Sequence, residues 1–250
     1  TLTNGNIGKI FLFYIRVRIL KKMWSVWSSV CALLFVTTSA IAVTGFSEVN
    51  NELFDKAHLK NITEESILHY VYKKEHFIDG PREDTIDVIV TNIRNTGRKD
   101  THYEFFTGEF NRPYMDRDNQ QGNGVFVFFL EFDVRELDRL TGGKWRYFQR
   151  KIRWALAKGA TKEEIEFDYN GEMVKGVQYT IQPFINDPKN ARYALYANKY
   201  YIFTMSEEIP GEIYQVRTIV PDGKKWQEGD EVLSEETVTF TGVDKLVDLQ

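Results

Sequence analysis

The sequence predicts an α+β fold, a curved, largely antiparallel sheet of about eight strands with an inserted helical hairpin. Three observations predict it. Apolar and polar residues alternate in most of the chain beyond residue 66, the period changes to three and four only between 126 and 158, and Gly, Pro and Asn punctuate short connections.

In chain order, residues 47–66 are polar and lack a clear period, with 61–66 reading as a loop or short helix. Leu68, Tyr70 and Tyr72 then alternate with His69, Val71 and Lys73. After a turn at Gly80-Pro81, Ile86, Val88 and Val90 alternate with polar neighbours, and a third strand is expected at about 101–107 around Tyr103 and Phe105. Residues 112–124, rich in Asn, Asp, Gln and Gly, read as a long loop. From Phe126 to Leu140 apolar residues recur at helical spacing, and Gly142-Gly143 stops that helix. A second helix is expected over 144–158, with Trp145, Phe148, Ile152, Ala155 and Leu156 on one face. Strands flank Asn170-Gly171, a pair whose tolerance of positive φ suits a type I′ hairpin turn. Three more strands are expected at about 198–206, 212–220 and 235–242.

Charge and apolar content divide the chain near residue 42. Residues 26–38 hold no charge and lead into Ser39-Ala40-Ile41-Ala42, the layout of a secretion signal cleaved after Ala42. The chain opens on Thr, and a start at Leu20 through an alternative codon would read Met-Lys-Lys-Met-Trp. The expected organisation is therefore 1–19 as upstream translation, 20–42 as signal peptide and 43–250 as a single β-rich periplasmic domain. The alternative is an uncleaved inner-membrane anchor, because Trp24 to Phe46 is uncharged and about 20 apolar residues cross a bilayer. Cys31 stands at the start of the apolar run, whereas a lipid-modified cysteine should follow it.

The whole chain has 32 basic and 36 acidic residues. Residues 1–42 contain five of the basic ones and no acidic one, leaving 27 against 36, or −9, for the remainder. That balance argues against nucleic acid as a partner. Loss of Cys31 with the signal would also remove thiol catalysis and cysteine-ligated zinc.

Leu68-His69-Tyr70, Phe105-Phe106-Thr107-Gly108, Phe129-Leu130-Glu131-Phe132-Asp133-Val134 and Pro210-Gly211-Glu212-Ile213-Tyr214 resemble stretches of a family of uncharacterised exported proteins of Gram-negative bacteria. The resemblance covers most of the chain beyond the signal and implies export, with no activity to transfer. The arrangement is also similar at fold level to periplasmic lipoprotein-carrier proteins.

Motifs for chemistry are sparse. His58, His69, His76 and His102 lack zinc-pair spacing, although His69 and His102 share the polar faces of two strands that could be neighbours. No serine lies in a Gly-x-Ser-x-Gly elbow, and Gly122-Asn123-Gly124 lacks the remainder of a phosphate loop. No cofactor or metal is expected. Arg146, Arg150 and Arg153 form one stripe on the second helix that could meet an anionic partner or lipid headgroups, unless Glu131, Glu136 and Asp138 of the first helix neutralise it.

The expected function is non-catalytic binding of a hydrophobic or amphipathic ligand, lipid or envelope protein between sheet and helices. Phe126, Phe129, Tyr179 and Tyr201 are the candidate lining. The rivals are a carboxylate-dependent envelope hydrolase, which needs two acidic groups facing across a cleft, and a structural or partner-binding module.

Overall fold

Residues 48–113, 116–223 and 225–249 are described by the computed structural model; the expected secretion segment, its cleavage site and Cys31 lie outside them. Ten strands form one antiparallel sheet: β1 (Ser66–His76), β2 (Arg82–Thr91), β3 (Lys99–Phe105), β4 (Arg112–Pro113), β5 (Arg117–Gln120), β6 (Thr161–Tyr169), β7 (Glu172–Ile181), β8 (Tyr200–Met205), β9 (Ile213–Pro221) and β10 (Val232–Lys245). Between β5 and β6 come two helices, α1 (Val125–Thr141) and α2 (Trp145–Lys158). The α+β antiparallel architecture expected from the sequence is the one observed.

Strand order is β4-β3-β2-β1-β10-β9-β8-β7-β6, with β5 also on β3. The first and last long strands therefore pair at the centre, Leu68 opposite Val243 and Tyr72 opposite Val238. The count rises from eight to ten because the segment read as a loop doubles back along β3. Its short polar strands satisfy backbone groups without presenting any apolar alternation.

Alternation selects one face for the core. Leu68, Tyr70 and Tyr72 of β1, with Ile86, Val88 and Val90 of β2, are buried, and the residues between them face outward. α1 lies across this inner face: Phe128 meets Tyr103 of β3, Phe132 meets Tyr72 of β1 and Phe126 meets Phe203 of β8, at ring-centroid separations of 4.5, 6.1 and 5.3 Å. Burying each such ring is worth roughly 1.5–3 kcal/mol.

Gly142, in the left-handed region at φ 67°, closes α1 by donating its N–H to the Asp138 carbonyl. The Asp138 carboxylate then accepts from the Trp145 N–H at 3.1 Å and anchors the start of α2. Phe148, Ile152 and Leu156 turn inward from α2, and Phe148 packs edge-on to Phe184 and Tyr193. The 170–171 hairpin turn is as expected, with φ 55° at Asn170 and 85° at Gly171.

Gly176 of β7 marks the tightest backbone approach in the hairpin sheet, since an added Cβ would stand 2.7 Å from both the Met205 carbonyl oxygen and the Phe167 ring. Gly176→Ala is expected to cost about 1–3 kcal/mol and to lower the thermal midpoint by several degrees. Gly223→Ala, whose new Cβ meets nothing within 4 Å, should leave the midpoint unchanged; circular dichroism melts of the two variants check the contrast.

Candidate functional site

Beneath α1 the core is polar at one end. Continuing the inward-facing positions of β1 beyond Tyr72 gives Lys74 and His76, which stand opposite Glu236 and Ser234 of β10. Asp133 enters the same region from α1 and is fully buried. It forms an ion pair with Lys199 at the entrance to β8 and accepts the Tyr201 hydroxyl at 2.7 Å. Glu236 accepts the Tyr72 hydroxyl at 2.8 Å.

Burial raises the Glu236 carboxyl above its ordinary value. Lys199 and Lys74 oppose that shift and Asp133 reinforces it. Burial likewise raises Tyr201, with help from Asp133, so the phenol keeps the proton it donates. His76 is pushed down by burial; its Nδ1 accepts from the Ile78 and Asp79 N–H groups. Two neighbouring carboxylates with one raised pKa satisfy part of the hydrolase requirement, but Asp133 and Glu236 are enclosed in the core and line none of the hollows described next.

The first of these hollows is a groove of about 430 Å³ on the helical layer. Val134, Ile152 and Leu156 make its floor; Phe54, Val127 and Leu130 make its walls, with Arg153, Gln149, Glu131 and Asp55 at the rim. No strand residue lines it. Phe54 belongs to a short helical turn, Asn51–Asp55, that closes one side. Val127 is 45% exposed although it follows the fully buried Phe126, so α1 presents apolar surface outward as well as inward.

A larger, more polar hollow of about 790 Å³ lies among Glu52, Lys56, β6, β7 and the 205–212 segment. The carboxylate of Glu212 is buried there. Lys56 and Lys60 approach its oxygens at 3.1 and 3.0 Å without a well-aligned hydrogen bond, and the backbone is held at φ 57°. Both lysines also contact Glu207.

The four aromatic residues expected to line a ligand space are all buried in the one core cluster. Phe126, Phe129 and Tyr201 fill the core and line neither hollow, because their rings occupy the space between sheet and helices. Tyr179 borders the polar hollow.

His69 and His102 sit on β1 and β3 with β2 between them, so they are not strand neighbours. His69 instead bridges Asp87 and Asp244 at 2.8 and 3.2 Å, and His102 contacts Asp116. His58, pushed down by burial, spends its ring nitrogens on the Glu52 carbonyl and the Asn123 N–H. Among the described residues, no group of three or more His, Cys, Asp or Glu side chains is disposed to hold a metal ion.

The arginine stripe is not neutralised from α1. Glu131 pairs with Arg135, Glu136 with Arg139, and Asp138 caps α2, while Arg146, Arg150 and Arg153 have no carboxylate partner among the described residues.

No protein-family model and no curated protein matches the chain. Solved structures with a similar chain course include lipoprotein LppX from Mycobacterium tuberculosis, at 8% identity over 77% of this chain and 91% of that one, with a TM-score of 0.30. A DUF1329 family protein from Desulfovibrio piger aligns at 10% identity over 83% and 96%, TM-score 0.27. An outer membrane lipoprotein-sorting protein domain from Vibrio parahaemolyticus aligns at 6% identity over 75% and 87%, TM-score 0.21.

Two predictions follow from the polar core. Asp133→Leu leaves the buried Lys199 without its direct ion-pair partner and should lose about 3–5 kcal/mol, whereas adding Lys199→Met should restore much of it; urea unfolding of both variants gives the comparison. Glu236 has a folded pKa above the ordinary 4.5. Its stabilising contribution is therefore complete below 4.5 and is lost as pH rises through the folded value. The stability of wild type relative to Glu236→Gln should fall with rising pH across that window, and a flat difference would contradict the shift.

Proposed function

We propose that this is an exported, non-catalytic envelope protein that binds an amphipathic ligand in the groove formed by α1, α2 and the Asn51–Asp55 turn. The observation that carries this reading is the groove's composition and size. Its six apolar side chains enclose about 430 Å³, within the range of small-ligand sites at roughly 300–1,000 Å³. The unpaired Arg153 and the Gln149 amide at the rim suit an acyl chain or comparable apolar body carrying an anionic or hydrogen-bonding end. Export is supported by the secretion-signal layout of residues 20–42. Among the described residues no helix is long and apolar enough to cross a membrane.

This reading moves the ligand from the sheet–helix interface to the helical layer. Ligand entry between sheet and helices would require Phe126, Phe129 and Tyr201 to leave a closely packed interior, with the loss of several kilocalories per ring. The groove requires no such rearrangement.

The test is titration of an undecanoic acid bearing a dansyl group, read by fluorescence, together with native mass spectrometry of protein recovered from the host periplasm. Saturable binding and a co-purifying mass lost on denaturation are expected. Val127→Asp, at a half-exposed wall position, should weaken the probe at least about tenfold, the loss of some 1.4 kcal/mol of apolar contact, while the melting temperature stays near that of wild type. Probe binding unchanged by Val127→Asp and by the groove-filling Leu130→Trp would overturn the assignment.

A further inference from the structure

α2 carries five basic residues, Arg146, Arg150, Lys151, Arg153 and Lys158, and no acidic one. Lys151 is committed to the buried Asp187 at 2.9 Å. The other four make no ion pair with any described residue. At 3.6 residues per turn the three arginines fall within about 60° of one another around the helix axis, on the side turned away from the buried Phe148, Ile152 and Leu156. All three are exposed.

Arg146 and Arg150 contact aromatic rings. The Arg146 guanidinium lies 4.6 Å from the Trp145 ring and that of Arg150 lies 5.5 Å from Tyr147. Such stacking orients a guanidinium while leaving its N–H donors available. Beside the stripe, Trp154 is 60% exposed, with the Lys158 ammonium 5.2 Å from its ring.

We infer that the outward face of α2 docks the protein on a bilayer surface rich in anionic lipid. Arg146, Arg150, Arg153 and Lys158 would meet headgroup phosphates, and Trp154 would insert at the interface. Charge complementarity selects this occupant: four unpaired cations lie on one helix that carries no acidic residue, within a chain whose residues beyond 42 total −9. The tryptophan favours a membrane over a flat acidic protein. Its ring combines an apolar body with one N–H donor, the combination that settles at headgroup depth. Arg153 also stands on the rim of the ligand groove, so the groove adjoins the docking face. The inference itself does not depend on what the groove holds.

The probe is a set of sonicated vesicles, one of phosphatidylcholine alone and one with 40% phosphatidylglycerol, mixed with protein in the form its host produces. Binding is read by co-sedimentation, and tryptophan depth by quenching with brominated lipid. Each basic residue close to an anionic membrane contributes about fivefold in affinity. Arg146→Gln/Arg150→Gln/Arg153→Gln should therefore bind the anionic vesicles on the order of a hundredfold more weakly, and wild-type binding should fall steeply with added salt. Bromolipid quenching should be clearly reduced in Trp154→Phe.

The comparison of the two vesicle compositions with wild-type protein alone decides the matter even if the triple variant misfolds. Equal binding to both compositions, quenching unaltered in Trp154→Phe, or capture of an acidic protein with no vesicle binding would each overturn the inference. Val127→Asp should leave vesicle binding intact while weakening the dansyl probe, which separates failure of the groove reading from failure of the docking face.

Discussion

The buried pairing of Asp133 with Lys199 constrains the position of everything above the sheet. Asp133 comes from α1, Lys199 from the entrance to β8, and Tyr201 from β8 itself. A charge withdrawn from water is tolerable only when its partner and hydrogen bonds are all in place. Sliding α1 by one turn, or rotating it, would strand both ions in an aromatic interior. The pair thus fixes which residues of α1 face the sheet, and by exclusion it fixes Val127 and Leu130 as walls of the outer groove. The turn at Gly142-Gly143 and the Asp138 contact to Trp145 then transmit the placement to α2. Once α2 buries Phe148, Ile152 and Leu156, its arginines have nowhere to point except solvent.

Local patterns in the sequence were enough for the helices and for the 170–171 hairpin, because each depends on residues close together in the chain. The central pairing of β1 with β10 joins residue 66 to residue 245, and nothing in either alternating run specifies the other. β4 and β5 were illegible for a different reason: they are edge segments with no buried face, so their pairing leaves no apolar period.

The polar core left a trace that periodicity could have found. Asp133 lies seven residues after Phe126, four after Phe129 and four before Leu137, which makes it the charged member of an otherwise apolar stripe, whereas Glu131 points elsewhere. In the same way Lys74 and His76 extend the inward parity of Leu68, Tyr70 and Tyr72, and Glu236 shares the parity of Val238 and Phe240. The groove had no comparable trace, because its floor residues are the same ones that mark the helices' buried faces, and its third side comes from a segment without a period.

Charge is distributed by function of the element that carries it. β6, the outermost strand on one side, presents Glu163, Glu164, Glu166 and Asp168, and like charges along an edge oppose its pairing with another copy of the same strand. The opposite edge is covered by the short strands β4 and β5. These four carboxylates thus have a protective reading that requires no ligand. The basic face of α2 has no such reading, since Arg146, Arg150, Arg153 and Lys158 balance no carboxylate among the described residues. At physiological ionic strength exposed charges act over only about 8 Å. A surface brought against α2 would therefore respond to four unpaired cations and an exposed indole, whatever the net charge of the whole chain, and the acidity of the molecule is no argument against its attraction to anionic lipid.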